Sequence, residues 1–258
     1  MSLALLTPDW PAPANVRAAC TTRGGGVSRA PYASLNLGDH VGDTPEAVGA
    51  NRRLLEQALQ ARPVFLAQVH GREVAELCTE TPDGTQADGC TTAQRGLACT
   101  IMVADCLAVL LTDTEGAFVA AAHAGWRGLA GQGGIGIVEA VLARLGSLAA
   151  NRAQRAAETM AWLGPCIGPE RFEVGPEVKA AFESHDPAAA AMFRPHARDK
   201  WLADLPGLAR QRLQALGVTA IHGNDGRREW CTVSNSSRFF SHRRDGVSGR
   251  LAACIWRV

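Results

Sequence analysis

Cys106 and His123 stand at the outer ends of two apolar runs, Leu107 to Thr112 and Ala117 to Ala122, which are separated by the turn-forming residues Asp113, Thr114, Glu115 and Gly116. A thiolate and an imidazole brought together can ligate a metal ion or act as nucleophile and base. His70, in Gln68-Val69-His70-Gly71, is a third candidate. Together His70, Cys106 and His123 offer three protein ligands and a free fourth position, the composition of a catalytic zinc site. They lie far apart in the chain, unlike the tight ligand pairs of zinc fingers, so spacing alone signals little. Two histidines and a cysteine also describe an electron-transfer copper centre, for which Met102 and Met160 are candidate axial ligands. A four-copper oxidase is harder to sustain with seven histidines and no His-x-His pair. The competing use of the same sulfur is nucleophilic, with Cys106 attacking and His123 as its base, giving an amidase-type hydrolase. The H-x-E and P-C-x-x-C pattern of a cytidine-type zinc deaminase is absent: Glu73 is wrongly spaced after His70, and the Cys166 loop has one cysteine.

Other residues point to an anion. His123 is followed by Ala124-Gly125-Trp126-Arg127-Gly128 and the Gly-rich run Gly131-Gln132-Gly133-Gly134, then a helical pattern. Small residues entering a helix leave backbone N–H groups free to bind phosphate or carboxylate, and Arg127 adds a bidentate grip. Arg243, Arg244 and Arg250 crowd glycine turns before the last strand and nominate a second charged wall. Arg23-Gly24-Gly25-Gly26 is either an anion cradle or a mobile loop. The rigid loop Gly164-Pro165-Cys166-Ile167-Gly168-Pro169 reads as a cleft wall, and Asp88 before Gly89 suits a turn as well as a site.

These groups need a frame. The two apolar runs have strand length and no polar alternation, so they read as a hairpin buried on both faces with Cys106 and His123 at one end. Val16 to Thr22, Pro63 to Val69, Glu73 to Leu77, Thr159 to Leu163 and Leu251 to Trp256 read as further strands. Thr44-Pro45-Glu46 is a helix start, with Val48, Leu55, Ala58 and Leu59 on one face. Helices are also expected from Ile137 to Leu145, Pro176 to Phe182 and Leu205 to Leu216. Asn151 to Glu158 reads as polar surface and His185 to Lys200 as a variable insertion.

The chain has 258 residues, 47% of them hydrophobic, and a net charge of +1. That is enough for a sizeable core, and it gives no global field for nucleic acid or an anionic membrane. Only Lys179 and Lys200 are lysines, so arginine is common everywhere and an arginine cleft needs local evidence. Eight cysteines without a CxxC read mostly as buried hydrophobes. The opening MSLALLTPDWPAP lacks a basic segment and a long apolar run, so a cytoplasmic location without membrane attachment is expected.

The blocks Thr21-Thr22-Arg23-Gly24-Gly25-Gly26-Val27-Ser28, Ser34-Leu35-Asn36-Leu37-Gly38, Asn51-Arg52, Gln68-Val69-His70-Gly71, Ala87-Asp88-Gly89, Ala104-Asp105-Cys106, His123 to Gly128, Gly164 to Gly168 and Arg243 to Gly246 occur in this order. The sequence thereby resembles the YfiH or laccase-domain family across nearly its whole length. That resemblance implies a mixed α/β fold, layered α/β/β/α like a cysteine-hydrolase domain, with residues 1–258 as one catalytic domain. It implies zinc on His70, Cys106 and His123, and Asn36, Arg127, Cys166, Arg243, Arg244 and Arg250 as substrate-binding candidates. It also implies phosphate-dependent cleavage of adenosine, inosine and methylthioadenosine, with adenosine deamination as a second activity. The partners are then a purine nucleoside and phosphate. A cell-wall peptide amidase and a copper phenol oxidase are the alternatives. Two departures from the family pattern are His242, where a tyrosine is expected, and extra residues at Gly131 to Ile135.

Overall fold

The computed structural model describes residues 3–146 and 156–258, so residues 151–155 of the stretch expected at the surface lie outside the described residues. The hairpin is formed by β7 (Leu107–Asp113) and β8 (Val119–Ala124), antiparallel with Ala108 opposite His123 and Leu107 opposite Ala124. Its turn closes through Gly116 N–H to Asp113 O, with Gly116 at φ 64°, a conformation easy only for glycine. Ala117 N–H is taken by the Asp113 side chain, which delays the second strand to Val119.

Two sheets lie face to face. The six-stranded sheet runs β13 (Ala220–Gly223), β9 (Thr159–Leu163), β7, β8, β5 (Gly89–Thr92) and β4 (Val74–Glu76). The five-stranded sheet runs β1 (Leu5–Leu6), β2 (Val16–Thr21), β14 (Leu251–Arg257), β6 (Leu97–Val103) and β3 (Arg62–Phe65). Strand periodicity sorts side chains between layers. On β7, Ala108 and Leu110 face the core between the sheets, whereas Val109 and Leu111 face the outer helices. On β6, Cys99, Ile101 and Val103 join the same inner core, while Ala98 and Met102 turn outward. Leu110 has no exposed surface; truncation to alanine there costs about 2–5 kcal/mol.

Helix α1 (Pro45–Leu59) covers the five-stranded sheet with Leu55 and Leu59. Thr44 caps it by accepting from Ala47 N–H, as its sequence dictates, although Ala58 is exposed and Asn51 is buried instead. The helices Ile137–Gly146, Pro176–Glu183 and Leu205–Ala215 cover the other sheet. The layering is therefore helix, sheet, sheet, helix. Two expectations change. The strand expected over Pro63 to Val69 stops at Phe65, because the Gln68 amide replaces the ladder by bonding both Met102 N–H and Met102 O at 2.8 Å. His185 to Lys200 contains a 3₁₀ turn, Pro187–Met192, and β11 (Phe193–Pro195), which pairs with β12 (Trp201–Ala203) in a sheet completed by β10 (Glu173–Val174). Ala189 and Phe193 from this segment are buried in the outer core.

Candidate metal centre and substrate cavity

The three ligand candidates arrive from three elements. His123 is the penultimate residue of β8 and is 3% exposed. Cys106 precedes β7 and is half-buried. His70 sits in the loop after β3, exposed, at φ 61°. Their ligand atoms lie within 4.8 Å of one another, and Cys106 Sγ is 3.8 Å from His70 Nε2. A tetrahedral zinc site with Zn–S near 2.3 Å and Zn–N near 2.0–2.1 Å places sulfur and nitrogen about 3.6 Å apart. The Cys106–His70 separation is close to that value, and small shifts of the other side chains bring all three ligands to one zinc ion. Among the described residues this is the one such cluster of three or more.

Asp88 holds the cluster together. Fully buried, it accepts from His123 Nδ1 at 2.7 Å and from the backbone N–H groups of Val69, His70 and Gly71 at 3.1, 2.9 and 2.7 Å. It therefore fixes the His123 tautomer, leaving Nε2 for a ligand, and pins His70 in its left-handed conformation. Burial pushes the Asp88 carboxyl up, but the His123 bond and the backbone donors outweigh it and hold the pKa below its ordinary 3.8. Burial likewise opposes charge on Cys106. The adjacent His123 charge and hydrogen bonds from both histidines nevertheless bring its thiol down to about 6. His123 rises to about 9, its burial overcome by the Cys106 thiolate and Asp88. Without metal, the two form an imidazolium–thiolate pair. Gly125 is confined by the same cluster: a Cβ there would stand 2.9 Å from Cys106 Sγ and 3.1 Å from His70 Cδ2.

The cluster opens onto a cavity of about 450 Å³, also lined by Arg127, Arg243, Arg250, His40, His242 and Phe172. This is within the range of about 300–1,000 Å³ typical of small-molecule sites. Arg127 lies over the Trp126 ring at 4.4 Å, and Arg243 over Phe172 at 5.6 Å with one bond to Glu173 O. Arg250 bonds Ser248 O and Gly249 O through one nitrogen, and burial lowers the pKa of its guanidinium. Among the described residues none of the three is paired with a carboxylate side chain, so the cavity holds guanidinium donors to spare.

The remaining nominated residues are placed elsewhere. Asn36 is buried and bonds Gly38 N and O, the Asp43 carboxylate and Arg250 N–H, bracing Arg250 from behind. Cys166 is buried beneath the cavity wall, where burial and the Asp204 and Cys231 charges raise its thiol well above the ordinary range. Arg244 is committed to Thr232 O, Val233 O, Phe239 O and the Asp245 carboxylate. The Gly24–Gly26 loop lies outside the cavity lining; Gly26 is where it is because a Cβ would meet Ser34 O at 2.3 Å and Asn51 Oδ1 at 2.4 Å.

Asp105 carries a site role that its sequence neighbourhood hides. At φ 97°, its carboxylate accepts from Thr232 Oγ1 at 2.6 Å and from Arg243 N–H at 2.7 Å, and its carbonyl accepts from Ile167 N–H. It thus ties the Cys106 turn to the arginine-bearing helix His242–Asp245. A charged residue immediately before the candidate sulfur, of a type that tolerates positive φ, is the signal that could have found it.

A layered α/β/β/α fold with one His-Cys-His cluster in a guanidinium-lined cleft defines a metal-capable small-molecule site. The family described as multi-copper polyphenol oxidoreductase laccase matches residues 17–258. A purine nucleoside phosphorylase of Pseudomonas aeruginosa is 50% identical, covering 98% of both chains. The purine nucleoside phosphorylase YfiH of Escherichia coli K12 is 45% identical, covering 98% of this chain and 99% of its own. The crystal structure of a Neisseria meningitidis protein of the DUF152 family superposes with a TM-score of 0.88 at 43% identity, covering 98% of each chain. The chain belongs to this laccase-like YfiH family. No described helix is long and apolar enough to cross a membrane.

Proposed function

We propose that the protein is a zinc-dependent purine nucleoside phosphorylase, with residues 1–258 acting as one catalytic domain. The observation that carries this reading is the three-ligand cluster sharing one cavity with the guanidinium groups of Arg127, Arg243 and Arg250. The names of relatives 45–50% identical over the whole length support it. Adenosine, inosine and S-methyl-5′-thioadenosine are the proposed substrates, with deamination of adenosine as a second activity. Arg127, Arg243 and Arg250 bind and orient phosphate, since planar forks suit its oxygens and lose little entropy in a packed wall. Phe172 and the Trp126 ring exclude water and offer apolar surface to the nucleoside. Asp88 and Asp105 keep the ligand side chains and Arg243 in register. His70, Cys106 and His123 would hold a zinc ion, which supplies Lewis acidity and activates water at neutral pH. Copper is the alternative occupant, and metal analysis of the protein as isolated distinguishes the two.

The test is incubation of the zinc-loaded protein with adenosine, with and without phosphate, assaying adenine and ribose 1-phosphate. Base release should require phosphate, and Arg243→Ala should raise the phosphate KM at least tenfold with zinc content unchanged. Absence of phosphate-dependent base release from all three nucleosides refutes the proposal. One observation favours a second reading: Cys106, His123 and Asp88 are also a nucleophile, base and orienting carboxylate in order. An amidase of that kind would keep its activity on a cell-wall peptide after complete metal removal and lose it in Cys106→Ser.

A further inference from the structure

A second cavity of about 530 Å³ lies beside the first. His70, Trp126 and Arg127 line both, so the two chambers meet at the exposed ligand of the cluster and at the Trp126–Arg127 stack. The far chamber is of comparable volume to the near one. Gly131 and Gln132, from the segment Gly131 to Ile135, form part of its wall. That segment closes on itself through Gln132 N–H to Ile135 O and Ile135 N–H to Gln132 O. Gly131, Gly133 and Gly134 all have positive φ, and a Cβ at Gly134 would stand 2.0 Å from the His185 ring, so backbone conformation and close packing both call for glycine there.

The chemistry of the chamber is that of a zwitterion site. Arg72 and Glu73 are adjacent, exposed and both on its wall, and among the described residues neither is ion-paired. Arg72 makes a single long bond, 3.4 Å, to Ile135 O, and Gln132 adds an amide. A guanidinium beside a carboxylate suits an α-amino acid group, whose carboxylate would take Arg72 bidentately and whose ammonium would take Glu73. A plain phosphate would meet Glu73 as a like charge.

We propose that this chamber is a subsite for the 5′ extension of purine nucleosides carrying an amino-acid tail through a 5′-thioether. The proposal rests on the phosphorolytic reading of the near chamber and deepens it. In that reading phosphate is held by Arg127 on the ridge and attacks C1′, while the base departs from the opposite face. With the ribose placed nearest the ridge, a 5′ substituent comes within reach of the far chamber, which adjoins the near one at His70, Trp126 and Arg127. In the reaction the C1′–N9 bond breaks with its electron pair passing to the purine. A bond forms from a phosphate oxygen to C1′, and the proton of hydrogen phosphate ends on the departing purine. The products are adenine and a ribose 1-phosphate that keeps the thioether tail.

The experiment uses the full-length zinc-loaded protein and the variants Arg72→Ala and Glu73→Gln, with S-adenosyl-L-homocysteine as probe. Calorimetric titration reads binding, and adenine release with phosphate reads turnover. Wild type should bind the probe and release adenine from it. Each variant should bind it at least tenfold more weakly and lose at least tenfold in kcat/KM toward it, with adenosine kinetics within twofold of wild type. The subsite is overturned if wild type does not bind the probe, if the variants bind it as wild type does, or if Arg72→Ala instead weakens binding of adenosine 5′-monophosphate. If adenosine itself is not cleaved, the phosphorolytic reading falls, and the titrations still decide the subsite.

Discussion

Asp88→Asn is the substitution that tests the construction of the site most directly. The carboxylate serves four donors: one oxygen takes Val69 and Gly71 N–H, the other His70 N–H and His123 Nδ1. An amide of the same shape keeps one acceptor oxygen and turns the other into an NH₂ group facing two donors. Two bonds are lost and two buried N–H groups are left without partners, at about 1–3 kcal/mol each, or about 2–6 kcal/mol together. For a chain of this size 1 kcal/mol lowers Tm by about 2–4 °C, so a fall of roughly 4–24 °C is expected. Loss of the carboxylate behind a ligating imidazole also weakens metal affinity by about 10–100-fold. The pH dependence has a definite sign. Because the folded pKa of Asp88 lies below its ordinary 3.8, the carboxylate stabilises the protein fully above that value and progressively less as pH falls through the folded pKa. The gap in Tm between wild type and Asp88→Asn should therefore narrow as pH falls through the folded pKa of Asp88, and also as pH rises from 6.5 to about 9, where His123 loses the charge that Asp88 helps to stabilise. Thermal unfolding across pH and competitive chelator titration with zinc measure both quantities. A variant with wild-type Tm and zinc affinity within twofold would refute the role assigned to Asp88.

Two further outcomes follow from the geometry. Gly125→Ala places a Cβ 2.9 Å from Cys106 Sγ, so metal content after dialysis against a weak chelator should fall at least tenfold while far-ultraviolet circular dichroism is unchanged; undiminished metal binding would show that the sulfur can move aside. In metal-free protein, alkylation of Cys106 should be half-maximal near pH 6, rising with pH as the thiolate forms, and His123→Ala should move that midpoint upward; a midpoint that stays put in the variant would remove His123 as the cause.

The sequence made the frame legible where one physical signal dominated. The double apolar run around Asp113–Gly116 left little choice but a buried hairpin, and Thr44-Pro45-Glu46 marked a helix start by chemistry that does not depend on tertiary context. It was opaque where a side chain stands in for backbone. Gln68 ends a strand early by bonding Met102 through its amide, and no periodicity reports that substitution. The segment from His185 to Lys200 was opaque for another reason: its alanines bury small surfaces without apolar contrast, although Ala189 and Phe193 are core residues. At the site, residue type identified His70, Cys106 and His123 as ligand candidates, but it could not separate arginines that face the cavity from Arg244, whose donors are consumed by three carbonyls and Asp245.

Both carboxylates next to the cluster do the same job on different parts of it, and this explains why two non-glycine residues accept positive φ there. Asp88 gathers the backbone of residues 69–71 and so holds His70 at φ 61°. Asp105, at φ 97°, reaches Thr232 and the N–H of Arg243. Each conformation costs on the order of 1–3 kcal/mol and persists because several hydrogen bonds over-determine it. The consequence is that the sulfur of Cys106 and the guanidinium of Arg243 are set by one residue between them. Displacing Asp105 would move a metal ligand and an anion contact together, whereas altering Asn36, which braces Arg250 alone, would move an anion contact and leave the ligands in place.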